Sequence, residues 1–269
     1  MDGISVIKIG GSLISDSSYL NVINDLRNSG LKNFVLVHGG GNEVTKYTEA
    51  LGKKAIFVTS PEGIRSRYTD LETVIIYNMV MRKISSELVL SLNRLGFRAM
   101  GISGIDAGLI KAERKKKLII IDERGRKRII EGGYTGRVKD VDSELLLKII
   151  SMGVTPVISP VALGCEGEML NVDGDRAASA IASSLKAERL IIFTNVDGVL
   201  IDGRVKEKLS IKEARETLKR VGPGMDKKLI ACIEAVEGGV KQGIIANGRI
   251  ENPISNAING LRTVVEGNE

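Results

Sequence analysis

Residues 5–12 read SVIKIGGS: a short apolar run, interrupted by Lys8 and closed by Gly10-Gly11. The pattern returns at residues 34–44, FVLVHGGGNEV, where an apolar run breaks at Gly39-Gly40-Gly41 and a helix start follows. Unbroken apolar runs suit strands covered on both faces, because a wet face would impose polar alternation. Similar runs recur as RAMGI (98–102), VTPVIS (154–159), RLIIFT (189–194), GIIAN (243–247) and RTVV (262–265). Between them lie helical stretches. Val22, Ile23 and Leu26 share one face before Gly30, and residues 70–95 fit one long helix, with Leu71, Val74, Ile75, Asn78 and Met79 at helical spacing. Thr69 or Asp70 is its candidate cap. Further helices are expected within 142–153, 175–188, 211–220, 227–239 and 253–260. Strand–helix alternation predicts the α/β class, a three-layer αβα sandwich around a mainly parallel sheet. Ligands of such sheets gather at the carboxyl ends of strands, where the glycine turns at 10–11, 39–41 and 101 fall. No internal repeat or low-complexity linker interrupts the chain. A single domain over 1–269 is expected, with lobes 1–165 and 166–269 sharing the sheet.

The 269 residues are 43% hydrophobic but only 3% aromatic, without Trp, so the core must be aliphatic. No apolar run reaches the length of about 18 residues that a membrane-spanning helix needs. The chain enters a strand directly, without the basic-then-apolar pattern of a secretion signal, and a cytoplasmic protein is expected. Cys165 and Cys232 stand alone and His38 is the only histidine, so a His/Cys zinc centre is not expected.

The net charge of +6 is local. Residues 111–137 carry ten Lys and Arg against four acids, an excess equal to that of the whole chain. This segment includes a candidate hairpin, with apolar runs at 118–121 and 128–130 around DERGRK. A local surplus points to one acidic partner surface. A nucleic-acid patch would call for aromatics among the basic residues, and Tyr134 is the only aromatic between 98 and 192.

Five stretches could carry chemistry. Lys8 in a buried-type strand is costly unless it is paired, aimed into a site, or able to snorkel from the strand end. Gly39-Gly40-Gly41 before a helix can bring backbone N–H groups to an anion, although neither GxGxxG nor a P-loop is present. His38 suits a structural hydrogen bond better than a base. In MLNVDGDRAAS (169–179), Asn171, Asp173 and Asp175 precede a helix; one acid suffices as its cap, leaving others to orient lysines or reach Mg²⁺. TNVDGVL (194–200) is a strand-end turn. GPGMDKKL (222–229) sets Lys227 and Lys228 at a helix start, where the dipole disfavours cations unless an anion is present.

The ordered set IKIGGS, VLVHGGGNEV, RYTD, MLNVDGDRAA, FTNVDGVL and GPGMDKK resembles the amino acid kinase superfamily along nearly the whole chain. Within it the chain looks most like the acetylglutamate kinase group. The nearest branch acts on aminoadipate or glutamate carried by the small acidic protein LysW. Tyr68 and the segment GGYTGRVKDVD (132–142) point to that branch. The resemblance implies ATP and Mg²⁺, with Lys8, Lys228 and Asp175 as the catalytic set and Lys227 as a rival for the second lysine. It implies Gly40, Gly41, Arg67 and Asn171 for substrate, and Gly10, Gly11, Thr194, Asn195 and Gly198 for nucleotide, Asn195 standing where the family usually has Asp. It further implies a homodimer, and a carrier-docking rim of Arg126, Lys127, Arg128, Tyr134, Arg137 and Lys139. Tyr134 to Lys139 are expected to face the substrate. Lys8 lies near the N-terminus, so the helical extension of arginine-inhibited relatives, and their feedback, are not expected. A plain acetylglutamate kinase is the alternative; a nucleic-acid-binding protein is the non-enzyme alternative.

Overall fold

A computed structural model describes residues 3–267. Its centre is an eight-stranded sheet in the order Lys208–Ser210, Thr263–Glu266, Gln242–Asn247, Arg189–Thr194, Ser5–Ile9, Phe34–His38, Thr155–Ser159, Ala99–Ser103. Every neighbouring pair is parallel except Gln242–Asn247 with Thr263–Glu266. The central apolar strands are buried on both sides, as their lack of alternation requires, whereas the edge strand Ala99–Ser103 leaves Met100 exposed. Ile7, Ile9, Leu36 and Phe193 pack with Tyr19–Leu26, Leu71–Arg94 and Pro253–Asn259 on one face. Val6, Val37 and Ile192 pack with Ser143–Ser151, Gly174–Ser184 and Met225–Glu237 on the other. The three-layer αβα expectation is met.

The long helix is Leu71–Arg94, capped by Asp70, whose carboxylate accepts the Thr73 N–H at 2.8 Å. Its buried face runs through Val74, Tyr77, Val80, Met81, Ile84 and Leu88. Leu71, Ile75 and Met79 lie on the exposed side instead, so the spacing that marks the helix does not mark its core face.

A second layer of strands sits over the carboxyl ends of the sheet. It comprises a four-stranded sheet of Met169–Asn171, Val161–Gly164, Ile110–Arg114 and Gly136–Val141, and two hairpins. One hairpin pairs Phe57–Thr59 with Arg65–Arg67. The other pairs Lys117–Ile121 with Lys127–Glu131, around the turn read from DERGRK.

Candidate active site

Lys8 shares the strand face of Val6, two residues earlier, and therefore points toward the helix Gly174–Ser184. The first turn of that helix carries Asp175. Lys8 Nζ lies 2.5 Å from Asp175 Oδ1, and Lys228 Nζ lies 3.7 Å from Oδ2. Asp173 is the helix cap: its Oδ1 accepts the Asp175 N–H at 3.0 Å and the Arg176 N–H at 3.2 Å. The division of labour between the acids is thus explicit. Asp173 satisfies the helix end and leaves Asp175 free to gather two lysines.

Lys8 and Asp175 are buried and Lys228 is mostly so, and burial is expensive for charges that lack partners. Burial alone would raise the Asp175 carboxyl; Lys8 first, then Lys228, outweigh it and hold it below the usual carboxylate range. Desolvation pushes the Lys228 ammonium below the usual lysine range, with Asp175 opposing. The rival lysine turns elsewhere. Lys227 Nζ donates to Arg65 O at 2.9 Å and lies 3.7 Å from Asp173 Oδ2. The shared carboxylate of Lys8 and Lys228 favours Lys228 as the second lysine. The helix start at Met225 is partly satisfied from within, because Asp226 Oδ1 accepts the N–H groups of Gly224 and Lys227, each at 2.7 Å.

The lysine–aspartate cluster lies between two cavities. One, of about 280 Å³, is lined by Lys8, Asp175, Gly11, Gly40, Gly41, Arg67 and Asn171 among others. Its floor is made of two glycine turns in contact. A Cβ on Gly11 would sit 3.2 Å from the backbone nitrogens of Gly40 and Gly41, and one on Gly40 would collide with Ile84 Cδ1. Absence of side chains therefore brings the start of the helix Gly41–Ala50, which has no side-chain cap, into the cavity wall. Arg67 Nη2 donates to Gly41 O at 2.8 Å and Thr45 Oγ1 at 2.7 Å, and its guanidinium lies 4.8 Å from the Phe57 ring centre. Its Nη1 is buried with no partner, an open donor suited to a carboxylate. Asn171 Nδ2 donates to Thr69 Oγ1 at 3.0 Å, leaving its amide oxygen for a ligand.

The other cavity, of about 320 Å³, is lined by Lys228, Thr194, Asn195, Gly198 and the glycine turn Gly222–Gly224. Gly198 is crowded: a Cβ there would meet Thr263 Oγ1 at 2.6 Å. Gly11 lines the first cavity rather than this one, and Gly10 lines neither, its N–H being donated to Phe193 O at 3.1 Å. His38 is wholly buried between Ser159 Oγ and Gly39 O, and burial lowers it to about 4, so it is neutral near pH 7 and structural.

A third space, of about 610 Å³, continues from the first past Ser66, Arg67, Asn171, Asp173 and Lys227. The two hairpins roof it, and the helices Gly174–Ser184 and Met225–Glu237 floor it. The rim expectation needs revision here. Arg137 lines this cavity, with Thr135, Gly136 and Val138. Tyr134 does not: it packs under Arg114, whose guanidinium lies 4.2 Å from its ring centre. Lys139 is exposed and bonded to Glu113 at 2.7 Å. Arg126 and Arg128, at the hairpin tip, share Asp122 at 3.0 and 2.8 Å, which spends part of their charge; Lys127 is exposed beside them. Residues the sequence reading passed over include Thr45, Phe57, Lys115, Arg176 and Glu234. Phe57 opposite Arg67 was legible in principle, as the hairpin turn SPEG separates two short runs.

Two lysines on one carboxylate, between a donor-rich cavity and a glycine-lined one, form a site for transfer of an anionic group between two bound molecules. Residues 3–247 match the model of the amino acid kinase family, and the chain belongs to that family. It is accordingly a phosphotransferase. A protein of Cenarchaeum symbiosum is 53% identical over 253 residues, covering 94% of this chain and 95% of its own. The LysW-aminoadipate/LysW-glutamate kinase of Saccharolobus solfataricus is 48% identical over 261 residues, covering 97% and 98%. The fold is shared with N-acetylglutamate synthase of Neisseria gonorrhoeae, with a TM-score of 0.81 at 21% identity over 99% of this chain and 60% of that one. Carbamate kinase of Giardia lamblia shares it with a TM-score of 0.69 at 15% identity, over 99% of each chain.

Proposed function

We propose that this protein phosphorylates the side-chain carboxylate of 2-aminoadipate, or of glutamate, held through its amino group on an acidic LysW-type carrier protein, using ATP, in lysine and arginine biosynthesis in the cytoplasm. The observation that carries this reading is the third cavity. It leaves the open Arg67 donor, runs away from the lysines, and is far larger than an N-acetyl group needs. The kinship with proteins named for carrier-linked substrates supports the same reading.

The acceptor carboxylate, with a pKa of about 4, is already ionised at neutral pH and needs no general base. Its oxygen attacks the γ-phosphorus, the bond to the β–γ bridging oxygen breaks, ADP leaves, and an acyl phosphate forms. Lys8 and Lys228, oriented by Asp175, neutralise charge on the phosphoryl oxygens from the two sides. Gly40 and Gly41 N–H groups, Arg67 and Asn171 hold the acceptor; Thr194, Asn195 and Gly198 hold the nucleotide. Mg²⁺ would be held mainly by the phosphates, whose oxygens are the hard ligands it prefers, and would supply further neutralisation of their charge.

The lobes 1–165 and 166–269 then serve mainly acceptor and nucleotide, with Asn171, Asp173 and Asp175 crossing over. Leu71, Ile75 and Met79, all exposed at i, i+4, i+8 on the long helix, support a homodimer through that helix. Ile75→Glu should yield monomers by gel filtration; an unchanged elution volume would remove the helix from the interface. Among the described residues no helix is long and apolar enough to cross a membrane.

Function is tested by comparing kcat/KM for carrier-linked aminoadipate and N-acetylglutamate with ATP and Mg²⁺. Preference for the carrier-linked acceptor by about a hundredfold or more is expected. Equal or better use of N-acetylglutamate overturns the reading.

A further inference from the structure

Arg176 follows Asp175 directly, their Cα atoms about 3.8 Å apart. It therefore stands beside the catalytic cluster, yet its side chain lines the large cavity. There Arg176 Nη2 meets Glu234 Oε1 at 2.6 Å, each side chain more than a third exposed. Glu234 lies on the helix Met225–Glu237, where Lys227, Ile230 and Glu234 face the cavity at helical spacing. Opposite it, Ser179, Ala180 and Ser183 are small, so the two helices form a trough with the ion pair across it.

The charges around this pair are mostly positive. Lys115, in the link before the strand Lys117–Ile121, and Arg137, on the strand Gly136–Val141, face it from above, and Lys227 from its own helix, against Asp173 and Glu237. Asp173 is engaged as a helix cap. Glu234 is then the carboxylate on the helical floor of the trough, set where an incoming anion would be drawn; Glu62 lines the same cavity from the hairpin side. Burial holds its carboxyl above the ordinary range in spite of Arg176. A partly exposed pair of this kind contributes little to stability, so exchange of partner is cheap.

We propose that Arg176 is the residue that selects carrier-linked over free acceptors, by exchanging Glu234 for a carboxylate of the carrier segment lying in the trough. The assignment rests on the carrier-kinase reading above. An N-acetylated amino acid has only a methyl group beyond its amide, and gives Arg176 nothing to exchange for. An acidic peptide extending from the same amide does, and Arg can clasp its carboxylate through two N–H groups. Glu234 acts as a placeholder that keeps Arg176 extended and sets the affinity an anion must exceed.

The test is steady-state kinetics of the full chain with carrier-linked aminoadipate and with N-acetylaminoadipate, for Arg176→Gln, Glu234→Gln and the double variant, with thermal unfolding of each. Arg176→Gln is expected to raise KM for the carrier-linked acceptor about tenfold, with the loss in KM rather than kcat, and to lower the preference over the N-acetyl acceptor by a similar factor. Glu234→Gln is expected to lower KM for the carrier-linked acceptor about threefold, and the double variant to follow Arg176→Gln. Equal shifts for both acceptors, or a rise in KM in Glu234→Gln matching a loss of thermal stability, mean the pair is only a tie between helices and overturn the assignment. A wild-type enzyme that ignores the carrier-linked acceptor and uses the N-acetyl one refutes the carrier-kinase reading, and this inference with it.

Discussion

Replacing Asp175 by Asn keeps the side chain's size and removes the one anion that Lys8 and Lys228 share at 2.5 and 3.7 Å. All three side chains are largely buried, so neither ammonium recovers its loss from water. Breaking a buried pair costs about 3–5 kcal/mol, and deprotonation of Lys228, already held down by desolvation, relieves part of it. A loss of about 3 kcal/mol corresponds to roughly 5 °C in Tm for a chain of 269 residues. Catalysis should suffer more, because a neutral or displaced lysine no longer faces the phosphoryl oxygens; a fall in kcat of about 10²–10³ is expected. The Asp175 carboxyl is held low in the folded state, so its stabilisation is complete above about pH 4 and is lost only as pH falls through the folded value. The difference in stability between wild type and variant should therefore be flat near neutrality and shrink in acid. Initial rates at saturating ATP and thermal unfolding from pH 3 to 8 measure both. A variant with kcat within about threefold of wild type would refute the role given to the cluster.

Three further outcomes are expected. His38, lowered to about 4, stays neutral in the fold while the unfolded chain protonates it below about 6.5, so stability should fall by up to about 3 kcal/mol between pH 6.5 and 4. His38→Gln should flatten that limb in denaturant titrations, and an unchanged slope would contradict the assignment. Lys228→Met should lose kcat by about a hundredfold or more, whereas Lys227→Met should alter mainly KM, since Lys227 is committed to Arg65 O and Asp173; the reverse ranking would make Lys227 the phosphate lysine. Charge reversal at Lys127 and Arg137 should raise KM for the carrier-linked acceptor and flatten its salt dependence more than reversal at Arg126 and Arg128, which share Asp122. Equal effects would show that the Asp122 pairing does not matter.

The central strands, the long helix and the basic hairpin were legible because each rests on a local signal: an unbroken apolar run, a 3.6-residue period, a charged turn between short β runs. The catalytic pair was half legible. Lys8 stood out as a cation in an apolar strand, but its partnership with Asp175 depends on which side of the strand faces which helix. Sequence spacing alone left Asp173 and Asp175 equivalent, and only the family resemblance singled out Asp175; the helix geometry gives the reason, making one a cap and the other a lysine holder. The exposed stripe at Leu71, Ile75 and Met79 was read as helical but not as outward-facing, because periodicity reports an apolar face without saying what covers it. Alternation along Gly136–Val141 would put Arg137 and Lys139, two residues apart, on one face; a β-bulge that leaves Lys139 unpaired in the ladder turns them to different surroundings, and nothing local in the sequence marks it. Arg176 and Glu234 were hidden for another reason. They are distant in the chain and become neighbours only through packing of two helices.

The central claim is that the acceptor is a carboxylate borne on a carrier protein and activated as an acyl phosphate. Intact-protein mass spectrometry of the carrier, after reaction with this enzyme, ATP and Mg²⁺ in the presence of hydroxylamine, reads that claim directly. The expected result is a carrier whose linked aminoadipate has become a hydroxamate, only when ATP is present and not with Asp175→Asn over the same time. An unmodified carrier, alongside hydroxamate formed from free N-acetylglutamate, would contradict it.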